Sequence, residues 1–233
     1  ASGADSTSWH TNDGITKNGI DAAGNQIKGT PKNQNSTGTV SLGSSGGGGG
    51  SSSSSSSSIS GDSGGSGGEG SGGGDSTTPL FKIVINEIAW AGTAADATDE
   101  WIEIYNPSSQ SVDITGWTLK SFKIASASLV LDTPDITIAT KSLNPFNYFL
   151  LERTNDTTVS DISADQTYTG ALDNPGEIIE LRDSTGQLQD KVGHLVSSSS
   201  VSSWYAGENN TLTAPATRKT MERINPKTAG TDT

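Results

Sequence analysis

Residues 83–119 constrain the fold more than any other part of the chain. Ile83 to Ala89 is a short apolar-rich run that reads as a strand. Trp101 to Asn106 alternates, with Ile102 and Ile104 on one face and Trp101, Glu103 and Tyr105 on the other. A period of two marks a half-buried strand. Asn106-Pro107-Ser108-Ser109 supplies a turn, and Trp117 to Lys123 supplies a third strand. Further candidates are Ser128–Leu131, Ile136–Ile138, Tyr148–Leu151, Glu177–Arg182, Gln187–His194 and Thr217–Ile224. Asn174-Pro175-Gly176 and Asp183-Ser184-Thr185-Gly186 punctuate the later ones, the second making a hairpin. The whole predicts an all-β protein, an immunoglobulin-like β-sandwich. Its expected core is Ile85, Ile102, Ile104, Trp117, Leu119, Leu151, Ile179, Leu181 and Val192.

Glycine and serine limit how much of the chain can build that core. Of 29 glycines, 16 lie between Gly38 and Gly74, around an eight-serine run from Ser51 to Ser58. Such a stretch buries too little apolar surface to offset its chain entropy, so residues 37–78 are expected to be a disordered Ser/Gly-rich linker. Residues 79–233 remain as the foldable body, long enough for one sandwich. Residues 1–36 are polar and rich in turn formers, with too few apolar side chains to fold alone.

Charge and cysteine content exclude several functions. From Leu80 on, 20 acidic residues face 11 basic ones, a net of −9. Nucleic-acid partners require clustered Lys and Arg, so none is expected. There is no cysteine, hence no disulfide, thiolate metal site or cysteine nucleophile. No run approaches the ~18 apolar residues of a membrane helix, and no signal peptide is visible. The chain reads as a piece of a longer protein.

Several motifs, in order, resemble the bacterial lamin tail domain family over about residues 80–233. They are Ile85-Asn86-Glu87-Ile88, then Trp101-Ile102-Glu103-Ile104-Tyr105-Asn106, then Ile114-Thr115-Gly116-Trp117-Thr118-Leu119. Tyr148–Arg153, Leu172-Asp173-Asn174-Pro175-Gly176-Glu177, Asp183–Gly186 and Thr220-Met221-Glu222-Arg223 follow in the family's order. The resemblance implies an immunoglobulin-like sandwich in an extracellular or cell-surface bacterial protein. It also implies frequent company with secreted or membrane-linked hydrolases and nucleases. Bacterial members often continue beyond the Met-Glu-Arg signature into Gly-Thr-Asp, Trp, Asn-Gly and Gly-Thr-Pro text. Here the chain's own beginning resembles that text, at Ser2–Trp9, Asn18-Gly19, Gly29-Thr30-Pro31-Lys32 and Asn35-Ser36. Residues 1–36 are therefore expected to be the C-terminal tail of a preceding lamin tail domain. The linker's reach of ~35 Å would let them dock on the second domain, with Trp9 against the sandwich.

The candidate sites follow from side-chain chemistry. Trp101, Glu103 and Tyr105, if outward, form a platform for a protein or glycan ligand; the commoner alternative is that loops such as Trp90 to Asp99 fold over them. Asp96, Asp99 and Glu100 crowd one loop and offer oxygen ligands to Ca²⁺, although a solvated acidic loop explains them as well. Glu87 and Glu103 on neighbouring strands resemble an acid–base pair, but a solvated sheet face, or side chains bonded to neighbouring loops, is the commoner meaning. His10 and His194 are the only histidines, and no Gly-x-Ser-x-Gly elbow accompanies them. The expectation is a non-catalytic binding or structural module without a required cofactor. Its partners would be a protein, a glycan or neighbouring lamin tail repeats; the alternatives are an accessory domain of an enzyme or a pure spacer.

Overall fold

The computed structural model describes residues 6–37, 83–125, 128–193, 195–197, 200–201, 204–224 and 226. The expected linker, apart from Thr37, lies outside these, as does His194. Residues 6–37 and the body from Ile83 onward belong to one compact unit.

Ten strands make the two main sheets. They are β1 (Trp9–Thr11), β2 (Val84–Ala89), β3 (Trp101–Tyr105), β4 (Thr118–Ala125), β5 (Ser128–Thr137), β6 (Tyr148–Arg153), β7 (Gln166–Tyr168), β8 (Ile178–Arg182), β9 (Leu188–Val192) and β10 (Met221–Arg223). The first sheet runs β1-β10-β2-β3-β6-β7 and the second β9-β8-β4-β5. Every pairing in them is antiparallel except β6 with β7. Ile85, Ile88, Ile102, Ile104, Phe149, Leu151 and Met221 of the first sheet share one core with Leu119, Ile136, Ile179, Leu181 and Val192 of the second. The chain is thus a β-sandwich, and all nine residues expected in the core are buried.

Several boundaries differ from the sequence expectation for identifiable reasons. Ser128–Leu131 and Ile136–Ile138 merge into the single strand β5, and Pro134 lies within it. A proline has no N–H to give a ladder, but β5 is an edge strand, where one is tolerated. The stretch Thr217–Ile224 divides at Thr220, whose N–H donates to Lys28 O and whose carbonyl accepts from Asn12 N. Residues of the N-terminal segment thus capture the backbone there and split one strand into two.

The N-terminal segment packs against the sandwich, and the strand within it is an element that the sequence does not signal. β1 pairs with β10 in the register Trp9↔Arg223, His10↔Glu222, Thr11↔Met221. Trp9 is 5% exposed, belongs to the main core and stacks under the Arg223 guanidinium at 4.8 Å. Ile27 joins Ala89, Trp101, Leu150 and Val159 in a second apolar cluster on the far side of the first sheet. Both faces of that sheet are therefore covered.

Truncating Trp9 to alanine should destabilise the protein by about 3–5 kcal/mol in denaturant unfolding, the cost of deleting a packed aromatic side chain. A change below about 0.5 kcal/mol, ordinary for an exposed tail position, would contradict its place in the core.

Candidate functional site

A row of ionisable side chains crosses the outer face of the first sheet. The registers His10↔Glu222, Glu222↔Glu87 and Glu87↔Glu103 put one such residue on each of β1, β10, β2 and β3. A bulge in β2 between Ile85 and Glu87 turns both Asn86 and Glu87 to this face. Glu87, Glu103 and Glu222 are each 0% exposed. Like charges directly opposite each other on a sheet repel, and a buried carboxylate without partners is costly.

Residues 28–36 supply the partners. Glu87 Oε1 accepts from Thr30 N at 2.9 Å and from Thr220 Oγ1 at 2.6 Å. Glu103 accepts from Lys32 N at 2.5 Å and from Asn86 Nδ2 at 2.8 Å. Glu222 accepts from Ser36 N at 3.0 Å, Ser36 Oγ at 2.5 Å and Asn12 Nδ2 at 2.6 Å, with His10 Nε2 at 3.0 Å. Asn35 and Asn86 exchange amide hydrogen bonds, and Asn35 Nδ2 also donates to Arg223 O. Gly29 lies so close that an added Cβ would sit 2.6 Å from Thr220 Cγ2 and 2.7 Å from Glu87 Oε1. Only a residue without a side chain lets the backbone approach the row this closely.

One hydroxyl limits the proton inventory. Thr30 Oγ1 is 2.9 Å from Glu87 Oε2, 3.1 Å from Glu222 Oε1 and 3.3 Å from Asn35 Oδ1, yet it carries a single hydrogen. The distances admit a protonated Glu87 donating to Thr30 with Thr30 donating to an ionised Glu222, or the reverse. The electrostatics select the first. Burial, then the charges of Glu222 and Glu103, holds the Glu87 carboxyl well above the usual range. Burial also pushes Glu103 up to about 8. Burial acts in the same direction on Glu222, but hydrogen bonds from His10, Ser36 and Asn12 together outweigh it and hold that group below its ordinary value.

His10, Ser36 and Glu222 are the residue types of a hydrolytic triad, but the geometry is not one. His10 presents the same nitrogen, Nε2, to Ser36 Oγ at 3.2 Å and to Glu222 Oε2 at 3.0 Å. A relay needs the acid on one ring nitrogen and the nucleophile on the other. Ser36 Oγ is instead spent on Glu222.

The structure corrects the sequence expectation for the aromatic platform. Trp101, Glu103 and Tyr105 do lie on the outer face, but they are 0%, 0% and 2% exposed. Trp101 is roofed by Ile27 and Val159, and Glu103 is sealed by Lys32. Tyr105 packs against Tyr148 with ring centres 4.7 Å apart and planes tilted by 33°, beneath a depression of about 280 Å³ that His10, Asn35 and Arg223 also line.

The acidic loop is likewise spent locally. Asp96 accepts from Thr98, Asp99 from Thr93 at 2.7 Å, and Glu100 pairs with Arg153 at 2.9 Å while capping Leu172 N at 2.7 Å. Among the described residues no three His, Asp or Glu side chains converge as metal ligands would. Sequence reasoning overlooked Glu222, Asn12, Thr30, Asn35 and Ser36. Glu222 stood in view within Met221-Glu222-Arg223; an outward carboxylate on each of three strands was the signal that a donor-rich segment must cover them.

A two-sheet sandwich whose outer face is closed by a largely irregular N-terminal segment defines the class: an immunoglobulin-like domain, consistent with a binding or structural module. Residues 76–195 match the family model of the Lamin Tail Domain, and the chain belongs to that family. Comparison with curated proteins finds none that matches. The matched range contains Glu87 and Glu103 but neither β10 nor residues 6–37. Among the described residues no helix is long and apolar enough to cross a membrane.

The proton inventory has a measurable consequence. A carboxyl whose folded pKa is raised stabilises the fold fully below its unfolded pKa, here about 4.5, and that contribution is lost as pH rises through the folded value. Melting temperature should therefore fall between pH 5.5 and pH 9. Glu87→Gln keeps an acceptor for Thr30 N and a donor for Thr30 Oγ1, so it should cost under about 1 kcal/mol near pH 6 and flatten that fall. Glu222→Gln turns an NH₂ toward donors and should cost about 1–3 kcal/mol or more. Equal effects of the two substitutions in denaturant titrations would contradict this proton assignment.

Proposed function

We propose that the chain is a non-catalytic structural and binding module of an exported or cell-surface bacterial protein. On this reading, the outer face of its first sheet is a receptor for a polypeptide segment. The single observation that carries it is the capture of Thr30, Lys32 and Ser36 N–H groups by Glu87, Glu103 and Glu222. The carboxylates that resembled an acid–base pair are acceptors for a docked backbone. β1 adds a strand to the sheet, as in β-augmentation, while residues 30–36 cross its face through a turn at Thr30–Asn33 and Ile27 supplies an apolar anchor.

On this reading residues 1–36 are the closing extension of a preceding lamin tail domain, and residues 79–233 are the module on which they dock. Docking then couples consecutive modules across the Ser/Gly connection, and local tethering supplies avidity. A role as accessory domain beside a hydrolase or nuclease elsewhere in a longer protein uses the same coupling. Residual glycan or protein contact would fall to the Tyr105–Tyr148 depression rather than to Trp101.

The test is to cut the connection. A protease site placed within Ser51–Ser58 of the full chain should, after cleavage, leave the N-terminal piece bound to the body through gel filtration at micromolar concentration. Introducing Gly29→Ala into the cut protein should weaken that retention at least tenfold. Separation of the two pieces without denaturant would sink the receptor reading.

A further inference from the structure

The connection between segment and body is far longer than docking on the same chain requires. Asn35 Nδ2 reaches Asn86 Oδ1 at 3.1 Å although 51 residues separate the two in sequence. The ends of the connection therefore lie together. Extended chain covers about 3.3–3.6 Å per residue, so a handful of residues would close the segment onto its own body. The sequence places 45, Gly38 to Lys82, between Thr37 and Ile83.

Nothing that holds the segment depends on that covalent link. Its attachments are the β1–β10 ladder, backbone bonds such as Ile224 N to Ser8 O at 2.7 Å, and the carboxylate row. The row is also selective. It demands main-chain donors at three spaced positions, a residue without a side chain at Gly29, and the side chains of Asn12, Thr30 and Asn35. Another copy of this chain carries that whole set.

We propose that a second copy of this chain donates its residues 6–37 to the outer sheet, so that copies join head to tail by segment exchange. The proposal rests on the receptor reading above and adds the identity of the partner. Each copy keeps one donor and one acceptor, so the contact is heterologous and extends into chains or closes into rings. A covalent connection of this length holds its own segment at an effective concentration of about 1 mM. Docking within one chain therefore dominates in dilute solution, and exchange grows where copies are crowded.

Two versions of the full-length protein test it, both with a protease site within Ser51–Ser58. One carries an affinity tag after Thr233. The other carries Ile15→Cys labelled with a dye; Ile15 is 82% exposed and the chain has no cysteine of its own. The two are unfolded together, refolded together at total concentrations from about 10 µM to about 1 mM, cleaved, and captured by the tag. Versions refolded separately, then mixed and cleaved, give the background. The expected result is dye on the tagged body above background, rising several tens of fold across that range. No rise at any concentration, with segments still retained on their own bodies after cleavage, overturns exchange and leaves the receptor reading standing. Segments that fall away on cleavage overturn both.

Discussion

Three buried carboxylates in one cross-strand row, Glu222, Glu87 and Glu103, set the terms for the rest of the structure. Placed side by side without partners, they would oppose the pairing of β10, β2 and β3, because burial and mutual repulsion act together. Residues 28–36 resolve the conflict by presenting N–H and hydroxyl donors at the right spacing. A protonated Glu87 donates to Thr30, which donates in turn to Glu222, the charged member of that pair. The sheet's outer face and the N-terminal segment are energetically one object, although the longest connection in the chain separates them.

That dependence orders the surrounding features. The bulge at Asn86 brings a second acceptor to the face, and Asn35 uses it. Trp101, Leu150, Val159 and Ile27 make an outer apolar layer that exists only because the segment lies over it. Asp21 of the segment accepts from Ala95 N, so part of the loop before β3 is also held by residues from the far side of the linker. A lamin tail sandwich completed by a segment from outside its own contiguous stretch has its stability tied to that segment.

Much of the sandwich was legible because its signals are local. Alternation at Trp101–Asn106 and the Asp183–Gly186 turn depend on neighbours a few residues away, and the strands and hairpin follow them. Alternation, however, reveals that a strand has two unlike faces, not that the polar one meets water. Trp101 and Tyr105 on the face of Glu103 were the clue that it is covered. β1 has three residues, no periodicity and mostly polar neighbours, so nothing within Trp9–Thr11 marks it as a strand. Its pairing comes from β10, more than 200 residues away. Gly29 reads as a turn former, yet its requirement is clearance above Thr220 and Glu87. The carboxylate row itself joins three motifs that are each legible alone; only the register puts them in line.

Amide hydrogen exchange at Thr30, Lys32 and Ser36 tests the central claim most directly. The account predicts protection comparable to that of Ile102 and Ile104 in β3, because these N–H groups end on carboxylates sealed from solvent. Exchange at those three amides as fast as at the exposed Ile15 would contradict it.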